Sequence, residues 1–203
     1  MSPPPRADPL LIEALRRDLL AATFTVDGIA ARLGPVASAA LQREQLVPAL
    51  LATDGTADPC GILVRFFTLG QPMASGSVER ALPSLGLAGA HELGLVQPAI
   101  GGHSTSGEGH STGDRGHSTG DGGHSTGDGG HSTGDGGQVG ATCDLRPYAD
   151  ESHDWWVASD LSDVATGQPL ATDHVLGIGG ASTTLASWTI RRPVGRALDL
   201  GTG

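Results

Sequence analysis

The sequence predicts an α+β fold, and three observations predict it. Apolar residues recur at helical spacing through the first third of the chain, punctuated by caps and prolines at Asp8-Pro9, Thr25 and Asp58-Pro59. At Gly94-Leu95-Val96 the pattern turns extended, and strand-like runs return over Gln138–Arg146, Asp154–Ser159 and Val175–Ile178. The last apolar run, Arg196–Leu200, passes through Asp199 into Gly201-Thr202-Gly203. A strand that stops at a glycine turn leaves backbone N–H groups facing a crevice, which is where open α/β sheets hold nucleotide-like cofactors.

Residues 1–7 form a proline-rich tail expected to be disordered. Asp8 and Pro9 are the N-cap and first position of a helix whose apolar stripe is Leu11, Ile12, Leu15 and Leu19. Thr25 caps a second helix carrying Val26, Ile29, Ala30 and Leu33, which Gly34 stops. A third is expected from Pro35 to Val47, with Pro48 ending or kinking it. Asp58-Pro59 opens a helix holding Ile62, Leu63, Phe66 and Leu69, and Gly70 supplies its C-cap. Short helices fit Ser77–Leu82 and Ala88–Leu93, and a later one contains Leu185–Thr189.

Helices, then a short helix ending in Gly-Leu-Val, then two strands around a polar turn is the order of a winged-helix unit. A helical winged-helix-like domain is therefore expected over residues 8–100, with Leu95–Ile100 and Gln138–Leu145 as the wing hairpin. Residues 101–138 become an overgrown hairpin tip, since loop-closure cost grows only logarithmically with length. Residues 139–172 supply the return strand and a connecting strand, and 173–203 begin an α/β domain.

That tip is a heptapeptide repeat: Gly-His-Ser-Thr-Ser-Gly-Glu, Gly-His-Ser-Thr-Gly-Asp-Arg, then three copies of Gly-His-Ser-Thr-Gly-Asp-Gly. Its histidines are His103, His110, His117, His124 and His131. Wide spacing on glycine-rich backbone does not preorganise four ligands, so no metal site is expected. A calcium β-helix repeat needs about nine residues with an apolar position, and this unit has none. Disorder is the expectation. With Glu108, Asp114, Asp121, Asp128 and Asp135 against Arg115 alone, the tip is acidic.

The whole chain carries a net charge of −10, and all 12 of its basic residues are arginine. Around residues 77–93 only Arg80 faces Glu79 and Glu92, so specific duplex-DNA binding is not expected. Cys60 and Cys143 belong to no C-x-x-C motif, which argues against a zinc knuckle or disulfide scaffold. The N-terminus has no secretory h-region and no apolar run approaches the roughly 18 residues of a membrane span. A cytoplasmic, monomeric protein without membrane association is expected.

Asp173-His174-Val175-Leu176-Gly177-Ile178-Gly179-Gly180-Ala181-Ser182 precedes the terminal glycine turn with a helix fitting between them. That order would put the backbone amides of Gly179 and Gly180, with Ser182, at the rim of the same crevice, a nest suited to a carboxylate. These two segments, with Asp144-Leu-Arg-Pro-Tyr148, Asp154-Trp-Trp-Val157 and Ser159-Asp160, resemble S-adenosylmethionine-dependent class I methyltransferases of the small-methyltransferase-domain group. These are high-GC bacterial proteins often labelled glutamine N5-methyltransferases. The resemblance covers residues 139–203 closely and 8–100 loosely, and the repeats have no counterpart in it.

The resemblance implies a Rossmann-like methyltransferase domain, truncated at its first cofactor motif, with S-adenosyl-L-methionine as cofactor. Asp199, Gly201 and Gly203 match that motif, the acid holding the methionine end of the cofactor and the glycines letting backbone approach it. Gly179, Gly180 and Ser182 match the preceding glycine segment. The acceptor-gripping Asn-Pro-Pro-Tyr-type loop would lie beyond Gly203, so no catalytic residue is expected in this chain, and the fragment itself should be inactive. The acceptor would be a protein glutamine or an RNA base. The rival reading is a winged-helix nucleic-acid-binding protein without enzymatic activity.

Overall fold

The computed structural model describes residues 5–99, 137–150, 153–189, 192–196 and 198. The heptapeptide repeats, Asp199, Gly201 and Gly203 lie outside the described residues. What is described is a mixed α+β fold: a helical layer, a small three-stranded sheet and a separate two-stranded hairpin.

Helix α1 (Pro9–Ala21) begins as predicted, with the Asp8 carboxylate accepting from the Leu10 and Leu11 amides. Helix α2 (Val26–Leu41) is capped by Thr25 and broken at Gly34, whose backbone (φ 76°, ψ 169°) is not helical. The expected helix from Pro35 therefore forms, but it ends at Leu41. Pro48 does not terminate anything: it sits in the first turn of α3 (Val47–Ala52), where its missing N–H costs no hydrogen bond. The cap at Asp58 opens α4 (Pro59–Leu63), which widens directly into a π-helical turn, Val64–Thr68. Gly70 follows at φ 62°.

Apart from Arg65, which reaches out to Leu50 O and Asp54, this α4–π segment is largely apolar and buried in the core. Ile62, Leu63, Val64, Phe66 and Phe67 are each at most 1% exposed. The two phenylalanine rings meet edge-on at 4.9 Å. Leu19, Phe24, Val78, Leu82 and Leu93 close the core around them. One buried charge is used structurally: Asp18 on α1 accepts from the Ser84 and Leu85 amides at 2.8–3.0 Å, just ahead of the helix that starts at Gly86. A buried carboxylate is tolerable only with such donors.

Strand β1 (Met73–Ala74) leads into α5 (Ser75–Ala81) and α6 (Gly86–Glu92), each shifted by about two residues from its predicted span. Strands β2 (Val96–Pro98) and β3 (Gln138–Ala141) complete an antiparallel sheet of order β1-β3-β2. The run expected as one strand over Gln138–Leu145 is two. The Thr142 amide donates to Leu95 O and its hydroxyl to Gly94 O. Past this anchor, Cys143 and Leu145 turn into the core. The chain then re-enters extended structure as β4 (Asp144–Ala149), paired with β5 (Asp154–Ser159) in a separate sheet.

The hairpin is fastened to the helical layer by the Trp156 indole, which donates to Phe24 O at 2.8 Å. Helix α7 (Asp163–Thr166) and helix α8 (Gly180–Trp188) follow. Val175–Ile178, expected as a strand, is not one: Val175 exchanges backbone and side-chain bonds with Asp160, and Ile178 O accepts from the Tyr148 hydroxyl, but no strand pairing forms. Arg196 and Leu198 likewise belong to no regular element. Among the described residues no single helix is long and apolar enough to cross a membrane.

Candidate functional site

The glycine segment singled out in the sequence lies against the β4–β5 hairpin. Tyr148 and Ser159 stand near opposite ends of the paired strands, yet both meet this segment. The Tyr148 hydroxyl donates to Ile178 O at 3.2 Å, and the Ser159 hydroxyl lies where a Cβ on Gly177 would approach it to 3.0 Å. A side chain at 177 would therefore be tight against this hydroxyl, which would have to give by a few tenths of an ångström. Asp160 fixes the start of the segment: its carboxylate accepts from the Val175 amide at 2.9 Å, and its own amide donates to Val175 O. The same carboxylate oxygen lies 3.8 Å from Nδ1 of His174, whose side chain is 11% exposed.

Burial holds the Tyr148 phenol above its ordinary pKa; the nearby Asp144 carboxylate adds to this and the Arg146 guanidinium opposes it. Tyr148 is thus a hydrogen-bond donor at neutral pH, consistent with its contact to a carbonyl.

Beyond Ile178 the chain turns into α8. Gly179 is the N-cap in extended backbone and offers no side chain to the helix, so the amides of Gly180, Ala181 and Ser182 have no partner among the described residues. A Cβ at Gly179 or Gly180 would meet nothing within 4 Å. The amino end of α8 is consequently bare, unobstructed backbone with the positive end of the helix dipole behind it. An acceptor such as a carboxylate fits this donor set. The structure thus brings Gly179, Gly180 and Ser182 together at one helix start.

Several residues of this arrangement were not singled out as site candidates from the sequence. Tyr148, Asp160 and His174 position the segment, and the signal for them was thin: acids and aromatics flanking a glycine run, with pairing partners far off in sequence. Among the described residues no group of three or more His, Cys, Asp or Glu side chains is arranged to hold a metal ion. Both cysteines are buried thiols. Burial, with Asp58 nearby, pushes Cys60 up to about 11, and burial, with Asp144 nearby, pushes Cys143 up to about 12. Neither is a nucleophile at neutral pH.

No curated protein and no solved structure matches the chain. Residues 21–105, which run from the end of α1 past β2, match the family model of a domain of unknown function, DUF7059.

Proposed function

We propose that this chain is the N-terminal portion of an S-adenosylmethionine-dependent N-methyltransferase. The observation that carries the reading is the pairing of two glycine segments: Gly177–Ser182, opening a helix with a bare amino end, and Asp199–Gly203 after it. In this reading 173–203 begin a Rossmann-like domain. Gly179, Gly180 and Ser182 offer backbone donors to the methionine carboxylate, while Asp199, Gly201 and Gly203 form the first cofactor motif. When bound, the cofactor supplies a methyl group on a sulfonium, and its transfer to nitrogen depends mainly on positioning and on excluding water. The hairpin residues Tyr148, Ser159 and Asp160 hold the glycine segment in place for that purpose.

The exposed apolar surface of the same region supports the reading. Leu176, Leu185 and Trp188 are 76%, 71% and 83% exposed, and no residue of α8 is buried. Apolar side chains gathered on one stretch call for a covering layer, which the remainder of an α/β domain would supply.

In this reading the module from α4 to β3, where α5 and α6 lie between β1 and β2, is a winged-helix-like unit that recognises the methyl acceptor, a protein glutamine or an RNA base. A duplex-DNA role is disfavoured by its surface: α6, in the place of a recognition helix, exposes Ala88, His91 and Glu92.

The test is binding of radiolabelled S-adenosylmethionine by the protein as expressed from its own locus. Asp199→Ala and Gly179→Val should each weaken capture by roughly tenfold or more, the loss of one well-made charged or backbone contact. Binding that neither variant alters, or no binding by the native product, overturns the proposal.

A further inference from the structure

A second place in the molecule is built like a ligand site and is unrelated to the glycine segments. It is a cleft of about 190 Å³ between α2 and β4. Its walls are apolar, with Ile29, Leu33 and Leu41 from the two halves of the broken helix, and Pro147 from the strand. Two irregularities of the backbone converge on it. The break at Gly34 sets the two halves of α2 at an angle, and the π-helical turn ends at Thr68, which also lines the cleft. Such turns recur at functional sites.

Ser38 donates its hydroxyl to Ala30 O, but two other polar groups of the cleft are left without full partners. Thr68 is 4% exposed, and its hydroxyl has no hydrogen-bond partner among the described residues. In an α-helix a threonine hydroxyl commonly donates to the carbonyl four residues back. Here that carbonyl, Val64 O, accepts instead from the Leu69 amide, one residue further on. Arg146 lines the same cleft. Its Nε is held at 2.7 and 2.9 Å by the two oxygens of Asp144, whose side chain is 11% exposed, while its two terminal nitrogens have no partner among the described residues. The guanidinium is thus fixed at its base by a buried carboxylate and offers its outer fork to the cleft. A planar fork of two N–H donors matches a carboxylate.

We propose that this cleft binds a small amphipathic monocarboxylate: a branched or aromatic body against Ile29, Leu33 and Leu41, its carboxylate on the outer fork of Arg146. The volume sets the size. An apolar cavity of about 150 Å³ takes a benzene-sized body, so this one suits an acid of roughly ten heavy atoms. The site is independent of the methyltransferase reading, since it shares no residue with the glycine segments.

The test is a titration of the full chain, followed by backbone amide chemical shifts, with phenylacetate and isovalerate as probes and phenylacetamide as the neutral control. The acids should move the Gly28–Leu41 and Thr68 amides, and the amide should bind roughly tenfold more weakly, as loss of a charge-assisted bidentate contact requires. Arg146→Lys keeps the charge paired with Asp144 but removes the fork, and should weaken phenylacetate by a similar factor. Ala30→Trp, at an exposed position on the cleft wall, should block binding without touching the ion pair. Equal binding of phenylacetate and phenylacetamide, unchanged binding by Ala30→Trp, or no shift with either acid up to about 10 mM, far above a specific affinity, each overturns the proposal.

Discussion

Two aspartates show how one residue type takes opposite roles in the same fold. Burial raises the pKa of Asp58, but the Thr56 hydroxyl, the Gly61 amide and Arg32 outweigh it, and the carboxyl titrates below its ordinary value. Those donors lie at 2.6–2.8 Å. For Asp144, burial wins over the single partner Arg146, and the pKa is raised. The signs follow from linkage. Below about pH 4 the unfolded chain takes a proton at residue 58 before the native state does, so this stabilisation is lost as pH falls. At residue 144 the native state takes its proton first, so stability is gained as pH falls through its raised pKa. Asp58→Asn should therefore flatten the acid loss of stability, and Asp144→Asn should steepen it. Denaturant midpoints measured between about pH 6 and pH 2.5 decide this; a change in the same direction for both variants would show that the assignment is wrong.

At the scale of the element, the break in α2 shows what a local signal can and cannot convey. Gly34-Pro35 announced a helix stop, and the stop occurs. That the two halves then form opposite ends of one cleft wall was not legible, because it depends on β4, more than 100 residues away in sequence. The π-helical turn was equally hidden: Val64–Thr68 continues an apolar pattern that serves an α-helix as well, and only packing distinguishes them. Gly34 itself is testable. Its φ and ψ, 76° and 169°, fall in a region open essentially to glycine alone, yet a Cβ there would meet nothing within 4 Å. Gly34→Ala should then cost about 1–3 kcal/mol through backbone strain without any clash. Gly140→Ala, in strand β3 with equal space and no positive φ, serves as the control and should be close to neutral. If both variants lose equal stability by thermal denaturation, strain at residue 34 is not the cause.

Across the whole molecule, what the sequence made legible is what local chemistry decides. The caps at Asp8, Thr25 and Asp58, the helices they open, and the strand Asp154–Ser159 all follow from neighbours in the chain. What escaped it depends on distant partners: the division of the 138–146 run between two sheets, the carboxylate of Asp18 serving α6, and the Asp160–Val175 link that replaces a strand. The join between β2 and β3 is the sharpest case of a local pattern interrupted by unrelated sequence. Pro98 pairs with Val139, and the Ala99 amide donates to Gln138 O at 2.9 Å, so the chain leaves and re-enters the sheet at one point. The described β1-β3-β2 pairing and the described core are built from residues on either side of 101–136. Replacing 101–136 with a two-residue turn should preserve the fold. It should also stabilise it: closing a loop of roughly 38 residues costs about 2 kcal/mol more than closing one of four. Raised thermal stability, with the backbone amides of Val96, Gln97 and Ala99 unshifted in an NMR comparison, is the expected result. A loss of stability would mean that the repeats contribute contacts to the folded domain, and the hairpin would have to be regarded as held together from its tip.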